Sequence, residues 1–344
     1  MVITDLVGRA VALQPPSRDE ALAVLDLPDS ATMELVAAVA TVRRHFFQDR
    51  VKLNFLLNIK SGLCPEDCAY CSQARGSTAG IDRYAMLPPD RAVEAAGMAI
   101  SAGAKRFCMV AGGRGPTPRE LRLFTTSVRA VKHAYPALEI CACLGLLREG
   151  QADDLREAGV HAYNHNLNTS PGQYAEVCST HTFADRVETV TRAADAGLSP
   201  CSGALFGMGE SDEDIVDVAT ALRELHPDSV PVNFLIPIEG TPMADVNELT
   251  PMRCLRILCL IRLFFPNVEV RIAGGREVHL RSLQPLGLLI ANSIFIGDYL
   301  TTKGQAAEDD RRMIADLGLR IERSEEATLP ASMTRPAHRS SSRH

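Results

Sequence analysis

The sequence predicts an α/β protein whose centre is a (β/α)8 barrel of the TIM type, and two patterns lead to this fold class. Eight short apolar runs alternate with amphipathic helical stretches through the middle of the chain. Gly or Pro separates most of them, as at Gly103, Gly159 and Gly197. Strands separated by helices form parallel sheets, and eight such strands favour closure into a barrel. A doubly wound open sheet is the alternative that the same alternation permits.

The predicted elements follow one another in a regular order. The expected strands are Val51–Ile59, Lys105–Ala111, Leu138–Leu144, Val160–Asn166, Ser199–Phe206, Ser229–Ile236, Val268–Ile272 and Leu289–Ile296. Helical patterns lie near Asp90–Ala102, Arg119–Ala134, Glu149–Glu157, Ala184–Ala196, Asp212–Leu225, Pro251–Phe265 and Glu277–Leu283.

Two peripheral segments flank the predicted barrel, which we assign to residues 45–322. Residues 1–44 form a predicted N-terminal helical extension, with helical patterns at Asp19 to Val24 and Glu34 to Phe46 that are broken by Pro15-Pro16 and Pro28. The tail, residues 323–344, is rich in Ser, Arg and His, so we expect it to be disordered.

The composition narrows the class of protein. A chain of 344 residues with 46% hydrophobic residues is large enough to bury an extensive core, and its net charge of −6 argues against a nucleic-acid partner. No apolar run reaches the roughly 18–20 residues of a membrane span, and the start of the chain does not resemble a signal peptide. Ten cysteines are too sparse for a disulfide framework. We therefore expect a soluble protein of a reducing cytoplasm.

Three cysteines, Cys64, Cys68 and Cys71, lie in one short segment after the first predicted strand. Their spacing, Cys-x3-Cys-x2-Cys, supplies three thiolates for the corners of an iron–sulfur cube, whereas closed structural metal sites take four protein ligands. The alternatives are a zinc site completed by a distant His, or three buried thiols. Zinc motifs usually have two separated pairs, and no second pair follows. The spacing therefore indicates a cluster with one metal position open to a small molecule.

Alternation along the predicted strands directs polar side chains into the barrel. In the strand Glu269-Val270-Arg271-Ile272, the two apolar residues suit the helical layer, so Glu269 and Arg271 point inward. The same alternation groups thiols and amides on inward faces: Cys108 with Arg106, Cys141 with Cys143, Cys201 with Ser199, and Asn164 with Asn166 and Asn168. An ordinary barrel core would hold Val, Ile and Leu at such positions.

The buried guanidinium has two interpretations. A buried Arg without an anionic partner is costly, so Arg271 among thiols indicates ionised, metal-bound cysteines. The alternative is that Arg271 pairs with Glu269 and that the lumenal cysteines are inert core residues. For Cys178, Cys254 and Cys259, the inert interpretation is the prediction.

Several motifs resemble the radical S-adenosylmethionine (SAM) superfamily and, within it, the biotin synthase family. The three-cysteine loop follows the first strand, Gly112-Gly113 follows the second, and the run from Gly203 to Glu210 resembles the G-x-I-x-G-x-x-E element. More specific resemblances are Asn58-Ile59-Lys60-Ser61-Gly62, Cys64-Pro65-Glu66-Asp67-Cys68, Arg106-Phe107-Cys108-Met109, Tyr163-Asn164-His165-Asn166-Leu167, Pro200-Cys201-Ser202-Gly203 and Ala291-Asn292-Ser293-Ile294-Phe295. The resemblance covers about residues 45–320.

The resemblance implies a role for each matching residue. It implies that Cys64, Cys68 and Cys71 hold a 4Fe–4S cluster that chelates SAM. It implies that Cys108, Cys141, Cys201 and Arg271 hold a second, 2Fe–2S cluster that donates sulfur. SAM-binding positions match Tyr70, Gly112, Gly113, Asn166, Asn168 and Arg186, and substrate-binding positions match Asn166 and Asn233.

The implied activity is radical insertion of sulfur between two unactivated carbons of dethiobiotin to form biotin. The implied partners are dethiobiotin, an electron donor such as flavodoxin or ferredoxin, an iron–sulfur assembly system and a second copy of the chain in a homodimer. A different radical SAM reaction and a non-catalytic electron-transfer scaffold are the competing hypotheses.

Two positions depart from the family pattern. Asn168 stands where many members have an Asp that binds the SAM ribose, so we expect weaker ribose binding there because a charge-assisted bond is lost. Cys143 is an extra thiol two residues after Cys141. Packing in the lumen is its favoured interpretation, and ligation of the auxiliary cluster is the alternative.

Overall fold

A computed structural model describes residues 3–322 and contains a closed barrel of parallel strands. The strands are β1 (Arg50–Lys60), β2 (Arg106–Ala111), β3 (Glu139–Cys143), β4 (Ala162–Asn164), β5 (Ser199–Cys201), β6 (Ala204–Phe206), β7 (Ser229–Phe234), β8 (Glu269–Ile272), β9 (Ser293–Ile296) and β10 (Arg320–Ile321). Pairing of β1 with β9 closes the ring, which excludes the open sheet and confirms the predicted (β/α)8 class.

The helices surround this barrel and close one end of it. They are α1 (Ile3–Val11), α2 (Arg18–Leu25), α3 (Thr32–Phe47), α4 (Pro89–Ser101), α5 (Pro118–Ala134), α6 (Gln151–Ala158), α7 (Tyr174–Val177), α8 (Phe183–Asp195), α9 (Asp212–Glu224), α10 (Pro251–Phe264), α11 (Arg276–His279), α12 (Gln284–Ile290) and α13 (Ala307–Asp316). Helices α5, α8 and α9 begin at capping boxes, in which Thr117, Thr182 and Ser211 exchange hydrogen bonds with the third residue of each helix.

The N-terminal helices pack against the barrel. Arg43 on α3 donates to the backbone carbonyls of Arg50 and Ala291, which precede or begin β1 and β9. Helix α3 therefore lies at the amino ends of the strands, opposite the edge where active sites of such barrels form. The division of the chain at residues 44 and 322 stays a prediction, and the tail, residues 323–344, lies outside the described residues.

The fifth position of the barrel differs from the expected continuous strand Ser199–Phe206. It consists of β5 and β6, which both pair with β7, and the break lies at Ser202 and Gly203. A Cβ atom on Gly203 would lie 1.8 Å from the carbonyl oxygen of Pro231. The backbones approach too closely there for any other residue, and regular pairing is interrupted.

The expected strand Leu289–Ile296 is wrong over its first half. Helix α12 continues to Ile290 and β9 begins at Ser293. Leu288 and Ile290 are completely buried, and a short run that is apolar on all sides does not distinguish a buried helix from a buried strand. The predicted helix Glu277–Leu283 is likewise divided into α11 and a 3₁₀ turn at Arg281–Leu283.

Candidate active site

A cavity of about 380 Å³ opens at the carboxyl ends of the strands. Its walls come from the segments that follow β1, β2, β3, β4, β7, β8 and β9. The cavity contains thiols, amides and guanidinium groups from positions far apart in the sequence. This is the edge at which ligands bind in barrels of this architecture.

The three-cysteine loop forms one wall of the cavity. Cys64, Cys68 and Cys71 all contribute to its lining, and Cys68 is only 8% exposed. Burial raises the pKa of Cys64 to about 11 and also raises the pKa of Cys71. The thiols are therefore protonated when no metal is bound, and binding of iron has to displace their protons.

Two carboxylates after Cys64 attach this loop to the segment behind α7. Asp67 accepts hydrogen bonds from the backbone N–H groups of Ser179, at 3.0 Å, and Thr180, at 3.2 Å. The hydroxyl of Ser179 also donates to Asp67, and this bond first, then the backbone N–H of Ser179, holds the pKa of Asp67 well below its ordinary value. Glu66 contacts the imidazole of His181 and lies 3.4 Å from Arg114. The loop is thus held in place largely by Ser179, Thr180 and His181, which are more than 100 positions away in the chain.

Cys178 was predicted to be an inert packing residue, but the structure brings it to the three-cysteine loop. Its Sγ lies 3.6 Å from the Sγ of Cys68. The pKa of Cys68 is raised well above its ordinary value, first by this contact and then by burial. Since no local spacing links Cys178 to Cys68, the sequence pattern contained no signal for this proximity.

A second group of thiols lies deeper, on the inner faces of three strands. Cys108 on β2 and Cys141 on β3 stand opposite each other in register, and Cys201 on β5 completes the group. All three are at most 4% exposed. Arg271 on β8 is 1% exposed and its Nη1 lies 3.9 Å from the Sγ of Cys201. The alternation argument predicted this inward placement correctly.

The charges of this group favour thiolates. The pKa of Cys201 is lowered, first by a hydrogen bond with Cys141 and then by the positive charges of Arg271 and Arg106. The pKa of Cys108 is lowered by the same kinds of contact. Cys141 contacts both neighbouring sulfurs, and its own pKa is raised. The deep site therefore favours loss of the proton from Cys108 and Cys201 relative to ordinary thiols.

A layer of buried charges lies beneath the deep thiols. Lys52 Nζ lies 2.6 Å from Glu139 and 3.4 Å from Glu269, and Arg106 bridges the same two carboxylates at 3.0 and 3.5 Å. Arg271 also forms an ion pair with Glu269, as the simpler interpretation of the sequence expected. Three cations against two carboxylates leave one net positive charge in the layer.

The amide and guanidinium candidates meet at the upper part of the cavity. Asn168 Nδ2 donates to the hydroxyl of Tyr70, and Arg186 Nη1 donates to the backbone carbonyl of Asn166 at 2.7 Å. Asn166 Oδ1 accepts from the backbone N–H of Gly203 at 3.1 Å. Asn233 Oδ1 accepts from the N–H of Gly274 at 3.1 Å. Tyr70 and these four amide and guanidinium side chains all line the cavity.

The two glycines after β2 also line the cavity. The N–H of Gly112 donates to the carbonyl of Lys60 at 2.8 Å. A Cβ atom at this position would lie 2.3 Å from Gln73 Oε1. Gly112 therefore permits close packing of the β2 end against the three-cysteine loop. Gly113 beside it leaves its backbone accessible to a ligand.

Cys143 also lines the cavity, two residues after Cys141 on the same strand face.

Comparison with known proteins assigns the class. Residues 58–222 match the model of the radical SAM superfamily, and residues 231–320 match the Biotin and Thiamin Synthesis associated domain. The fold is similar to that of methylornithine synthase (PylB), with a TM-score of 0.83, 22% identity, and coverage of 93% of this chain and 98% of that one. The fold is also similar to that of the FeFe-hydrogenase maturase HydG from Carboxydothermus hydrogenoformans. The TM-score is 0.80 at 19% identity, and the match covers 93% of this chain and 79% of that one. The protein is a radical SAM enzyme.

Sequence relatives narrow this class further. The chain is 59% identical to the biotin synthase of Streptomyces avermitilis over 96% of this chain and 85% of the relative. It is 51% identical to the biotin synthase of Bacillus cytotoxicus over 89% and 92%. The chain belongs to the biotin synthase family. Membership implies a 4Fe–4S cluster and SAM as cofactors. Within residues 3–322, no helix is long and apolar enough to cross a membrane.

Proposed function

We propose that this enzyme converts dethiobiotin to biotin by SAM-dependent radical sulfur insertion, with an auxiliary 2Fe–2S cluster as the sulfur source. One observation carries the proposal. The three-cysteine loop lines the same cavity as Cys108, Cys141 and Arg271 of the deep group. Cys201, the fourth member, lies just behind this wall, with its Sγ 3.9 Å from Nη1 of Arg271. A radical formed at the upper site would therefore meet a substrate held directly above the sulfur donor.

The loop residues suit a 4Fe–4S cluster. Cys64, Cys68 and Cys71 would hold three of its irons at the mouth of the cavity, and the fourth iron would be left to bind SAM. A bound cluster would supply the electron that cleaves SAM to methionine and a 5′-deoxyadenosyl radical. The ion pairs and hydrogen bonds of Glu66 and Asp67 would keep the loop in position during this step.

The deep group suits a 2Fe–2S cluster because the charges match. Three thiolates around two ferric ions and two sulfides carry one net negative charge, and the buried layer below carries one net positive charge. Arg271 lies between the two and would contribute its charge to both. A guanidinium is a weak ligand compared with thiolate, so it would leave the cluster easy to dismantle when its sulfide is transferred.

The remaining candidates would hold the two organic molecules. Tyr70, Gly112, Gly113, Asn168 and Arg186 surround the upper cavity, where they would contact SAM. Asn166 and Asn233 lie between the upper and the deep site, where their amides would pair with the ureido ring of dethiobiotin. These amide side chains are held by hydrogen bonds to the backbone of Gly203 and Gly274, so they are oriented before the substrate arrives.

Replacing Asn168 with Asp is expected to strengthen SAM binding about fivefold, because a charged acceptor adds about 1 kcal/mol to a bond with the ribose hydroxyls. Asn168 has a φ of +70°, a conformation that Asn and Asp both adopt, so the change causes little strain. Isothermal titration of SAM into the anaerobic enzyme checks this. Equal or weaker SAM affinity in the Asn168→Asp variant would contradict the assignment of this residue to the SAM ribose.

Replacing Arg271 with Met is expected to change the auxiliary cluster and spare both the fold and SAM binding. The substitution leaves Lys52 and Arg106 opposite Glu139 and Glu269, so the buried layer is neutral. The visible spectrum and the loss of sulfide with time report on the cluster, and SAM affinity is the control. Unaltered spectra and sulfide retention in Arg271→Met would contradict a role for this residue at the cluster.

The proposal includes partners of known chemistry. The enzyme would need a low-potential electron donor such as flavodoxin or ferredoxin, and an iron–sulfur assembly system to rebuild the consumed cluster. We place it in the reducing cytoplasm, where thiolate-ligated clusters persist, and expect it to act as a homodimer.

The decisive experiment is an anaerobic single-turnover assay on enzyme reconstituted with iron and sulfide. We expect 5′-deoxyadenosine release to depend on dethiobiotin and biotin to appear with loss of sulfide from the protein. Release of 5′-deoxyadenosine without biotin would favour a radical SAM enzyme with another substrate. Absence of SAM cleavage would favour an electron-transfer scaffold. Either result would overturn the proposal.

A further inference from the structure

A cluster of metal-ligating side chains combines Cys68 of the three-cysteine loop with Cys178 and His181, two residues that the proposed reaction does not use. Cys68, Cys178 and His181 place two sulfurs and an imidazole within 4.8 Å of one another. All three residues are less than 9% exposed. Cys178 and His181 come from the segment between α7 and α8, about 110 positions after Cys68.

The distances suit a single tetrahedral metal ion. The two sulfurs are 3.6 Å apart, and a tetrahedral zinc ion with Zn–S bonds of about 2.3 Å would separate them by about 3.8 Å. The imidazole nitrogens of His181 lie 3.2 and 3.9 Å from the Sγ of Cys178. A tetrahedral N–S separation is about 3.6 Å, close to the 3.9 Å found at Nε2, the nitrogen that is free of other side-chain partners within residues 3–322. Small rotations of the side chains would therefore complete the coordination.

Two carboxylates add the remaining parts of such a site. Glu66, whose side chain is 5% exposed, contacts Nδ1 of His181, and this contact would fix the imidazole with Nε2 free to bind a metal. Metal-bound histidines are commonly oriented by a carboxylate in this way. Asp67 Oδ1 lies 3.3 Å from the Sγ of Cys178 and accepts from the backbone N–H of Ser179, so it orients the Cys178 segment while the fourth metal position is left to water. Two thiolates and one imidazole match the preferences of a thiophilic divalent cation.

We propose that the cluster-free protein binds one thiophilic divalent cation, such as Zn²⁺, at Cys68, Cys178 and His181. Because Cys68 has one sulfur to offer, occupation of this site and assembly of a 4Fe–4S cluster at Cys64, Cys68 and Cys71 exclude each other. The mononuclear site is thus a competing state of the same loop. The competition rests on the proposed function of the loop, whereas the binding of a single ion does not.

The test is a titration of the full-length, cluster-free protein with Co²⁺ alone under anaerobic conditions. Tetrahedral thiolate coordination gives intense visible d–d bands and a near-ultraviolet charge-transfer band. We expect Cys178→Ser and His181→Ala to bind one fewer Co²⁺ ion than the unaltered chain, or to bind it at least about tenfold more weakly. Comparison with the unaltered chain cancels any ion bound by the deep thiols.

Matched controls distinguish this site from the three-cysteine loop. Cys64→Ser and Cys71→Ser are expected to keep the Co²⁺ signal because their sulfurs are not ligands of the mononuclear site. Loss of the signal in these two variants, or unchanged affinity in Cys178→Ser, would overturn the proposal. His181→Cys replaces one ligand by another, so retained binding with a stronger charge-transfer band shows that loss in His181→Ala comes from ligation and not from misfolding.

A second measurement tests the competition. Protein loaded with one equivalent of Zn²⁺ is expected to assemble its 4Fe–4S cluster at least about tenfold more slowly than metal-free protein, and Cys178→Ser is expected to remove most of this delay. Equal assembly rates with and without Zn²⁺ would overturn the shared use of Cys68. Neither readout uses SAM or dethiobiotin, so failure here is distinguishable from failure of the proposed function.

Discussion

Replacing Cys71 with Ser is expected to lower the formation of 5′-deoxyadenosine from SAM by at least ~10⁴-fold, which corresponds to ~5.5 kcal/mol in the barrier. Serine has nearly the size of cysteine but is a poor ligand for iron, so only two thiolates of the loop would remain. The protein itself contains no group that can cleave SAM by electron transfer, and this chemistry depends on the cofactor.

Iron and sulfide analysis after anaerobic reconstitution, together with single-turnover product analysis, checks this expectation. The Cys71→Ser variant should lose the 4Fe–4S cluster and keep the auxiliary cluster. Cys71 lies in the loop after β1, whereas Cys108, Cys141 and Cys201 lie on β2, β3 and β5. A matched control is Cys254→Ala, which removes a buried thiol from α10 far from the cavity. Residual SAM cleavage above one hundredth of the unaltered rate would contradict the assignment of Cys71.

Replacing Glu269 with Gln is expected to lower the free energy of unfolding of the cluster-free protein by about 3–5 kcal/mol. Glu269 contacts Arg271, Lys52 and Arg106, and Ser293 Oγ donates to it at 2.8 Å. Its removal leaves three buried cations opposite Glu139 alone. Buried charges without partners are among the most destabilising changes in proteins.

The pKa of Glu269 supports this expectation. Burial alone would raise this pKa, but the three neighbouring cations outweigh burial and hold it well below the ordinary value. A carboxyl group whose pKa is lower in the folded state stabilises the fold above its unfolded pKa and loses this contribution as the pH falls. The difference in free energy of unfolding between the unaltered protein and Glu269→Gln should therefore be largest at neutral pH and become smaller as the pH falls.

Urea unfolding of the anaerobic, cluster-free protein measures the effect. Glu157→Gln on α6 is the control, since this carboxylate is exposed and should change stability by less than about 0.5 kcal/mol. The double variant Glu269→Gln with Arg271→Met removes one charge of each sign and should recover part of the loss. A loss below 1 kcal/mol in Glu269→Gln would show that the buried layer does not depend on this carboxylate.

Much of the candidate site could be predicted from the sequence because its signals are local. The spacing of Cys64, Cys68 and Cys71 places three ligands in one loop irrespective of the remaining fold. The inward direction of Glu269 and Arg271 follows from the two-residue period of a strand. The same period indicated that Cys108, Cys141 and Cys201 face the lumen, although it did not indicate which of them meet.

Other features could not be predicted because they depend on contacts between distant segments. The apolar run at α12 is compatible with a helix or a strand, and packing of Leu288 and Ile290 in the core selected the helix. The break between β5 and β6 results from the close approach of Gly203 to Pro231 on a neighbouring strand. Neither contact can be predicted from the local pattern of residues.

The amino-acid sequence by itself determined the class of fold, the three-cysteine loop and the polar character of the barrel interior, since periodicity and spacing are properties of short segments. Only the tertiary structure decided that β1 pairs with β9, that the buried charges sum to one positive charge beneath the deep thiols, and that Cys178 and His181 meet Cys68. The physical reason is that ring closure, charge balance and metal-ligand geometry depend on distances across the molecule, which the folded chain alone establishes.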